Sequence, residues 1–297
     1  MGEVKKKITK MRKALMTIFF ALIIIFGAVV ALLQWDNTLM KRMYLAEVQN
    51  ELSKSTANKE IFSEEELLSL PAPVRRYFKY CGYIGKEKMA NAEIVWDNVN
   101  FKISPNKPWA KIKYNQYNFV SEPARFAYIY TKMFGVIPFE GRDMYQNGRG
   151  DMLGQLAEVI KLFDQKGNEM DVSAAVTYLS ETLIIPSCAL QSFIHWDSID
   201  SNHAKASIKY RGINAEGIFS FDNDGKLIEF VTPERYMDTG NSKPEKHQWM
   251  VSMDSYIENS GVKIPTKSKA VWKLPSGDYE YFNGTIKDIV YNCNQAK

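Results

Sequence analysis

Cysteine and histidine are scarce, with three of each in 297 residues. Cys81, Cys188 and Cys293 are too few and too far apart for a disulfide framework or a metal knuckle. They read as three buried, reduced thiols, with one bridge plus one free thiol as the alternative outside the cytoplasm. His195, His203 and His247 leave little material for a histidine-rich metal site or a histidine-based triad, although His195 beside Trp196 is the best single base. Also missing are a phosphate loop, a Gly-x-Ser-x-Gly elbow, a His-Glu-x-x-His pair and a Cys-x-x-Cys. Gly82-Tyr83-Ile84-Gly85-Lys86 has the wrong spacing for the first of these. Asp222-Asn223-Asp224-Gly225 fails as a calcium loop, because Val231 stands where a bidentate Glu is required, and reads as a turn. No catalytic residue, metal or cofactor is therefore assigned.

Strong charge of one sign is missing too, except at one end. The chain sums to +4, from 38 basic and 34 acidic residues. The first thirteen residues hold six of the basic ones and one acidic, so residues 14–297 sum to −1. A nucleic-acid partner needs basic charge gathered on the folded domain and is not expected. Directly after the basic cluster come twenty uncharged residues, 14–33. At the helical rise they span roughly 30 Å, the thickness of a bilayer's hydrocarbon core. The expected organisation is a basic cytoplasmic tail (1–13), a transmembrane anchor (14–34), a helical stalk or linker (35–62) and an extracytoplasmic domain (63–297). The basic flank keeps the N-terminus inside and makes this a single-pass protein of the cell membrane. A cleaved signal peptide is the alternative, but the run is too long and lacks a small-x-small cleavage site.

Beyond the apolar run, Met40, Tyr44, Val48 and Leu52 recur at helical spacing; a disordered polar linker is the alternative there. Ser63 to Glu66 reads as a capping box, and the helix it opens stops at Leu70-Pro71. Pro73 opens a second helix that ends at Gly82, with Val74, Tyr77 and Phe78 inward and Arg75, Arg76 and Lys79 outward. From residue 89 the texture turns to strand-length aromatic segments: 92–98, 110–118, 125–131 and 139–145, the last before an Asn147-Gly148 turn. Residues 150–163 fit both a helix and strands. Asp171 to Ser173 offers an N-cap for a helix over 174–183, with a further helical turn at 188–191. Strands follow near 204–210, 215–221, 227–232, 248–258, 263–274 and 278–291, joined by Asp, Asn, Ser and Gly turns. Asn283-Gly284-Thr285 fits a glycosylation sequon and reads as a hairpin-like turn. The class is α+β with one dominant antiparallel sheet.

The stretch Leu70-Pro71-Ala72-Pro73-Val74-Arg75-Arg76-Tyr77-Phe78, with Gly82 after it, resembles the opening motif of a bacterial family of unknown function. Further matches keep the family's order: Trp109 and Gln116; Gly141-Arg142-Asp143 with Tyr145; Gly148 and Gly150; Tyr178-Leu179-Ser180-Glu181 with Pro186. Arg235-Tyr236, Gly261-Val262-Lys263-Ile264-Pro265 and Trp272 before Gly277-Asp278 complete the series. The resemblance implies no activity. It implies a fold similar to the half-barrels that carry lipoproteins and lipids across the bacterial envelope. The expected architecture is thus an N-terminal transmembrane helix followed by one large, curved, half-barrel-like antiparallel sheet packed on helices.

One carboxylate stands out. Glu181 lies close to an apolar helical face, where a charge is costly unless paired, and Arg235 at a strand end is the expected partner. A structural ion pair fixing the helix on the sheet is the plainer reading. Gln116 and Asp143 are polar residues in aromatic strands that would line the same cavity. Gln116, Asp143, Glu181, Arg235 and Tyr236 are therefore the candidate ligand-binding residues. Trp96, Trp109, Phe119, Trp249 and Trp272 supply either a cavity wall or core. The leading expectation is a membrane-anchored module binding a lipid or other apolar molecule. A carboxylate-dependent envelope hydrolase using Glu181 or Asp143, and an envelope scaffold, are the alternatives.

Overall fold

The computed structural model describes residues 2–33, 38–57, 59–238 and 243–297. In chain order it runs α1 (Gly2–Leu33), α2 (Leu39–Lys54), α3 (Glu64–Leu67) and α4 (Ala72–Cys81), then six strands. These are β1 (Asn91–Phe101), β2 (Ala110–Phe119), β3 (Ala124–Met133), β4 (Ile137–Gln146), β5 (Arg149–Leu156) and β6 (Ile160–Gln165). After α5 (Asn168–Ser180) and a 3-10 turn at Pro186–Leu190 come β7 (Ile194–Ser198), β8 (His203–Tyr210), β9 (Ile213–Phe221) and β10 (Leu227–Met237). The long strands β11 (Glu245–Asn259), β12 (Val262–Leu274) and β13 (Gly277–Tyr291) close the chain. All thirteen form one curled antiparallel sheet, ordered β6-β5-β4-β3-β2-β1-β13-β12-β11-β10-β9-β8-β7. The first and last strands meet in the middle, and α5 links the two edges across the concave side.

Local rules account for most elements. The strict alternation of β9 turns Ile213, Ala215, Phe219 and Phe221 inward. Asn147 and Gly148 both hold positive φ, as a tight hairpin between β4 and β5 requires. In α4, Pro73 sits in the first turn, Gly82 ends the helix in the left-handed region, and Val74, Tyr77 and Phe78 are fully buried. Ser63 accepts the Glu66 N–H at 3.1 Å and caps α3, but the Glu66 carboxylate turns to Lys88. Arg75 and Arg76 are half-buried rather than outward. Their guanidiniums donate to the Leu70 carbonyl (2.5 Å) and to Ser201 and Asn202 (2.7 and 2.9 Å), satisfying loop acceptors.

Other expectations need correcting. Residues 150–163 belong to the β5–β6 hairpin. The helix α5 starts before Asp171 and ends at Ser180. Asp171 is no cap: it is buried and accepts from the Gly150 N–H (2.7 Å) and Arg149 (2.9 Å), tying helix to sheet. The strand β7 adds to the expected elements, and Asn283 lies within β13, paired with Asn100, not in a turn. Cys81, Cys188 and Cys293 are all free; the first two are buried and the third half-buried.

The helix expected between 35 and 62 forms, and Met40, Tyr44, Val48 and Leu52 are its buried stripe. It lies against the outer face of β2–β4, opposite α5, rather than standing off as a stalk. Tyr44 stacks on Tyr128 with ring centres 5.5 Å apart, and Glu47 pairs with Arg142 at 2.8 Å. Phe119 belongs to this outer cluster and so is not a cavity residue. In α1, every described apolar side chain from Ile8 to Ile25 is exposed. Among the described residues no helix is long and apolar enough to cross a membrane, so the structure lends the expected anchor no support. The anchor segment extends over positions 26 and 28–34, whose side chains lie outside the described residues.

Candidate functional site

Alternation along β2 and β3 sends Gln116, Asn118 and Arg125 to the concave face and Tyr117, Phe119 and Phe126 to the other. The register places Asn118 opposite Arg125, and Ala127 opposite Asp143, so Arg125 and Asp143 share that face on neighbouring strands. Glu181, the residue that follows α5, drops onto them. Its carboxylate accepts from Gln116 Nε2 (2.8 Å), Asn118 Nδ2 (2.7 Å) and Arg125 Nε (3.0 and 3.1 Å). Arg125 reaches on to Asp143 (2.7 Å) and to the Tyr114 hydroxyl (2.5 Å).

Arg125 is 4% exposed. Burial alone would lower its pKa, but Glu181, Tyr114 and Asp143 outweigh that and hold the guanidinium well above its ordinary value. Burial pushes the Tyr114 phenol up, with Arg125 opposing. Glu181 and Asp143 thus share one cation in a closed network. That differs from two carboxylates flanking an open scissile bond, which a glycosidase-like hydrolase requires.

Arg125, not Arg235, is the partner of Glu181. A charged residue on the inward register of a strand, Arg-x-Ala-x-Ile, was the available signal. Arg235 stands two residues from the end of β10, away from this floor. Its guanidinium lies over the Trp249 ring at 4.1 Å and the Trp272 ring at 5.5 Å. Arg235 Nη1 and Trp249 Nε1 both donate to the Tyr281 hydroxyl, at 3.2 and 3.1 Å. Arg235 Nε is buried without a hydrogen-bond partner. Tyr236 holds α5 through its backbone, its N–H donating to Ser173 Oγ at 3.0 Å.

These groups enclose one pocket of about 260 Å³. All five candidate residues, Gln116, Asp143, Glu181, Arg235 and Tyr236, line it, together with Arg125 and Tyr114. Trp96, Trp249, Trp272, Tyr281 and Phe282 form an aromatic wall. Trp109 is not part of it; its ring lies under Lys102 at 4.9 Å and is partly exposed. Among the described residues no cluster of His, Cys, Asp and Glu is arranged to hold a metal ion.

A family model matches residues 60–284, which include every residue of this pocket. The chain belongs to DUF6544, a family of unknown function. A family of unknown function is what the resemblance implied. Comparison with curated proteins gives no match. Among solved structures the chain is similar to the LolA superfamily protein NE2245 from Nitrosomonas europaea. The two share 9% identity over 75% of this chain and 94% of that one, with a TM-score of 0.41. A likeness at that level carries no argument, and the half-barrel architecture rests on the strand order and curl described above.

Proposed function

We propose that this DUF6544 chain is a membrane-anchored, extracytoplasmic binding module that holds a lipid or other apolar molecule in the sheet-enclosed pocket. The observation that carries the reading is that Trp96, Trp249, Trp272 and Phe282, at the edge of the core, also line an open pocket. At about 260 Å³ the pocket is at the small end for ligand sites, which suits one chain or ring system more than a two-chain lipid. The closed Arg125 network at the floor acts as a structural clamp that keeps the wall in place.

The anchor is supported by sequence and by one physical argument. A helix apolar on all sides is stable only where something other than water surrounds it. The described part of α1 exposes Phe19, Phe20, Leu22, Ile23, Ile24 and Ile25 around its circumference. With the basic residues before it, a bilayer is the environment that such a segment fits.

The test is native mass spectrometry of the full chain extracted from its membrane in mild detergent, followed by titration with a single-chain amphiphile. Co-purifying lipid and a change in tryptophan emission, lost in Trp249→Phe with Trp272→Phe, are expected. A chain that carries nothing, and whose emission ignores the amphiphile, overturns the reading.

A further inference from the structure

The pocket has a mouth, and what surrounds it points to a surface. Antiparallel alternation puts the β1–β2, β3–β4 and β5–β6 connections at one end of the neighbouring strands β1–β6, and the residues around one depression bring the β10–β11 and β12–β13 connections beside the first of them. Contacts tie neighbouring ones together: Ala157 N–H donates to the Pro138 carbonyl (2.8 Å), and Thr131 Oγ1 to the Lys111 carbonyl (2.7 Å). Ile103, Met237 and Leu274 close over a shallow depression at the same end. Phe101, Lys102, Ile103 and Met237 also line the binding pocket, so it opens there.

The tips at this end are apolar and bare. Phe134 is 87% exposed and Val159 83%, with Val136, Ile160 and Ile103 also exposed. Hairpin tips are ordinarily polar, because nothing covers them. The chain also enters from here. Leu39 at the start of α2 donates its N–H to Glu158, the residue before Val159, at 3.2 Å, and the Thr38 hydroxyl bonds Glu140. Only residues 34–37 lie between Leu33, the end of α1, and Thr38. Five Cα steps reach at most about 18 Å. Thr38, whose neighbour Leu39 bonds the β5–β6 tip, is therefore tethered within that distance of the end of the apolar helix.

We infer that this end of the domain seats on the outer surface of the bilayer that α1 crosses. Phe134 and Val159 enter the interface, and the mouth of the pocket faces lipid. The inference rests on the anchor reading and adds an orientation to it. The occupant of the apolar end is the membrane itself, so a ligand passes between bilayer and pocket without crossing water.

The test uses the full chain in phosphatidylethanolamine–phosphatidylglycerol vesicles, with Cys293→Ser to remove the accessible native thiol. Nitroxide labels are placed through Phe134→Cys, Val159→Cys and, at the opposite end, Asn147→Cys. Flotation of the vesicles reads anchoring separately. The expected result is a floating chain whose labels at 134 and 159 relax with oxygen, while the label at 147 relaxes with a water-soluble nickel complex. A floating chain whose labels at 134 and 159 behave like the one at 147 overturns the docking, leaves the anchor standing, and hands the tips to a protein partner. A chain that does not float overturns anchor and docking together.

Discussion

Replacing Arg125 with Met should be among the costliest single changes in the domain. The Arg125 side chain is 5% exposed and, among the described residues, is the one cation bonded to both Glu181 and Asp143. Met keeps much of the volume and removes the charge, leaving two carboxylates at the pocket floor without their guanidinium. Breaking a buried pair in this way costs about 3–5 kcal/mol. Two features place the expected value at the lower end, about 3 kcal/mol. Asp143 keeps some contact with water, its side chain being 18% exposed. Glu181 keeps the amides of Gln116 and Asn118. In urea unfolding of the full chain in detergent, followed by tryptophan emission, that loss lowers the midpoint by about 1 M for a slope of about 3 kcal/mol/M. Adding Asp143→Asn and Glu181→Gln to the Met variant should recover part of that loss at neutral pH. A loss below about 1 kcal/mol, or no recovery in the triple variant, would refute the view that this network is desolvated and clamps the floor.

Two further outcomes test the packing. A Cβ at Gly150 would lie 2.3 Å from the Met170 carbonyl oxygen and 2.8 Å from Ala174 Cβ, both on α5. Gly150→Ala should therefore push α5 off β5 and cost about 1–3 kcal/mol. Gly141→Ala meets nothing nearer than the Ile129 side chain, at 3.3 Å, and should cost less; equal melting shifts for the two would count against the docking of α5. Burial pushes the Cys81 and Cys188 thiols up to about 12, so at mildly alkaline pH both are protonated as well as covered. Maleimide should modify Cys293 in the folded chain and reach the other two only after denaturation, as peptide mass spectrometry would show. Native labelling of Cys188 at the rate of Cys293 would contradict the core described here.

Strand-length segments and turn chemistry made the C-terminal meander readable: β9 alternates strictly, and Gly212, Gly225, Gly261 and Gly277 stand at its turns. Periodicity found the buried stripe of α2. It did not reveal that the stripe packs on the outside of the sheet, since spacing identifies a face and not what the face meets. The hairpin β5–β6 was unreadable because it lies at the sheet edge, where mixed exposure blurs the alternation. The strand β7 has only five residues, with His195 and Asp197 exposed. Asp171 looked like a cap because a short acid precedes an apolar run, yet its carboxylate answers a backbone N–H on β5. The need of Glu181 for a partner was legible, but its identity was not. Arg125 and Arg235 are both strand residues facing the concavity, and only the curl of the sheet decides which one lies beneath the end of α5.

The open mouth follows from lengths and from one charge. At about 1.5 Å per residue, the thirteen residues of α5 span about 20 Å. At about 3.3 Å per residue, the fifteen residues of β11 and of β13 each span about 50 Å. With α5 on β5, β9 and β10, and α4 on β12 and β8, the helices leave one end of the concave face uncovered. Large aromatic side chains occupy that end without filling it. Extending a helix over it would also bury Arg235, which has no carboxylate partner among the described residues. Its place over Trp249 and Trp272 is worth about 0.5–2 kcal/mol, well short of the cost of desolvating an unpaired guanidinium. Access to water or to an acceptor brought by a ligand is what makes a cation tolerable on that wall, so the position of Arg235 and the incompleteness of the core have the same physical cause.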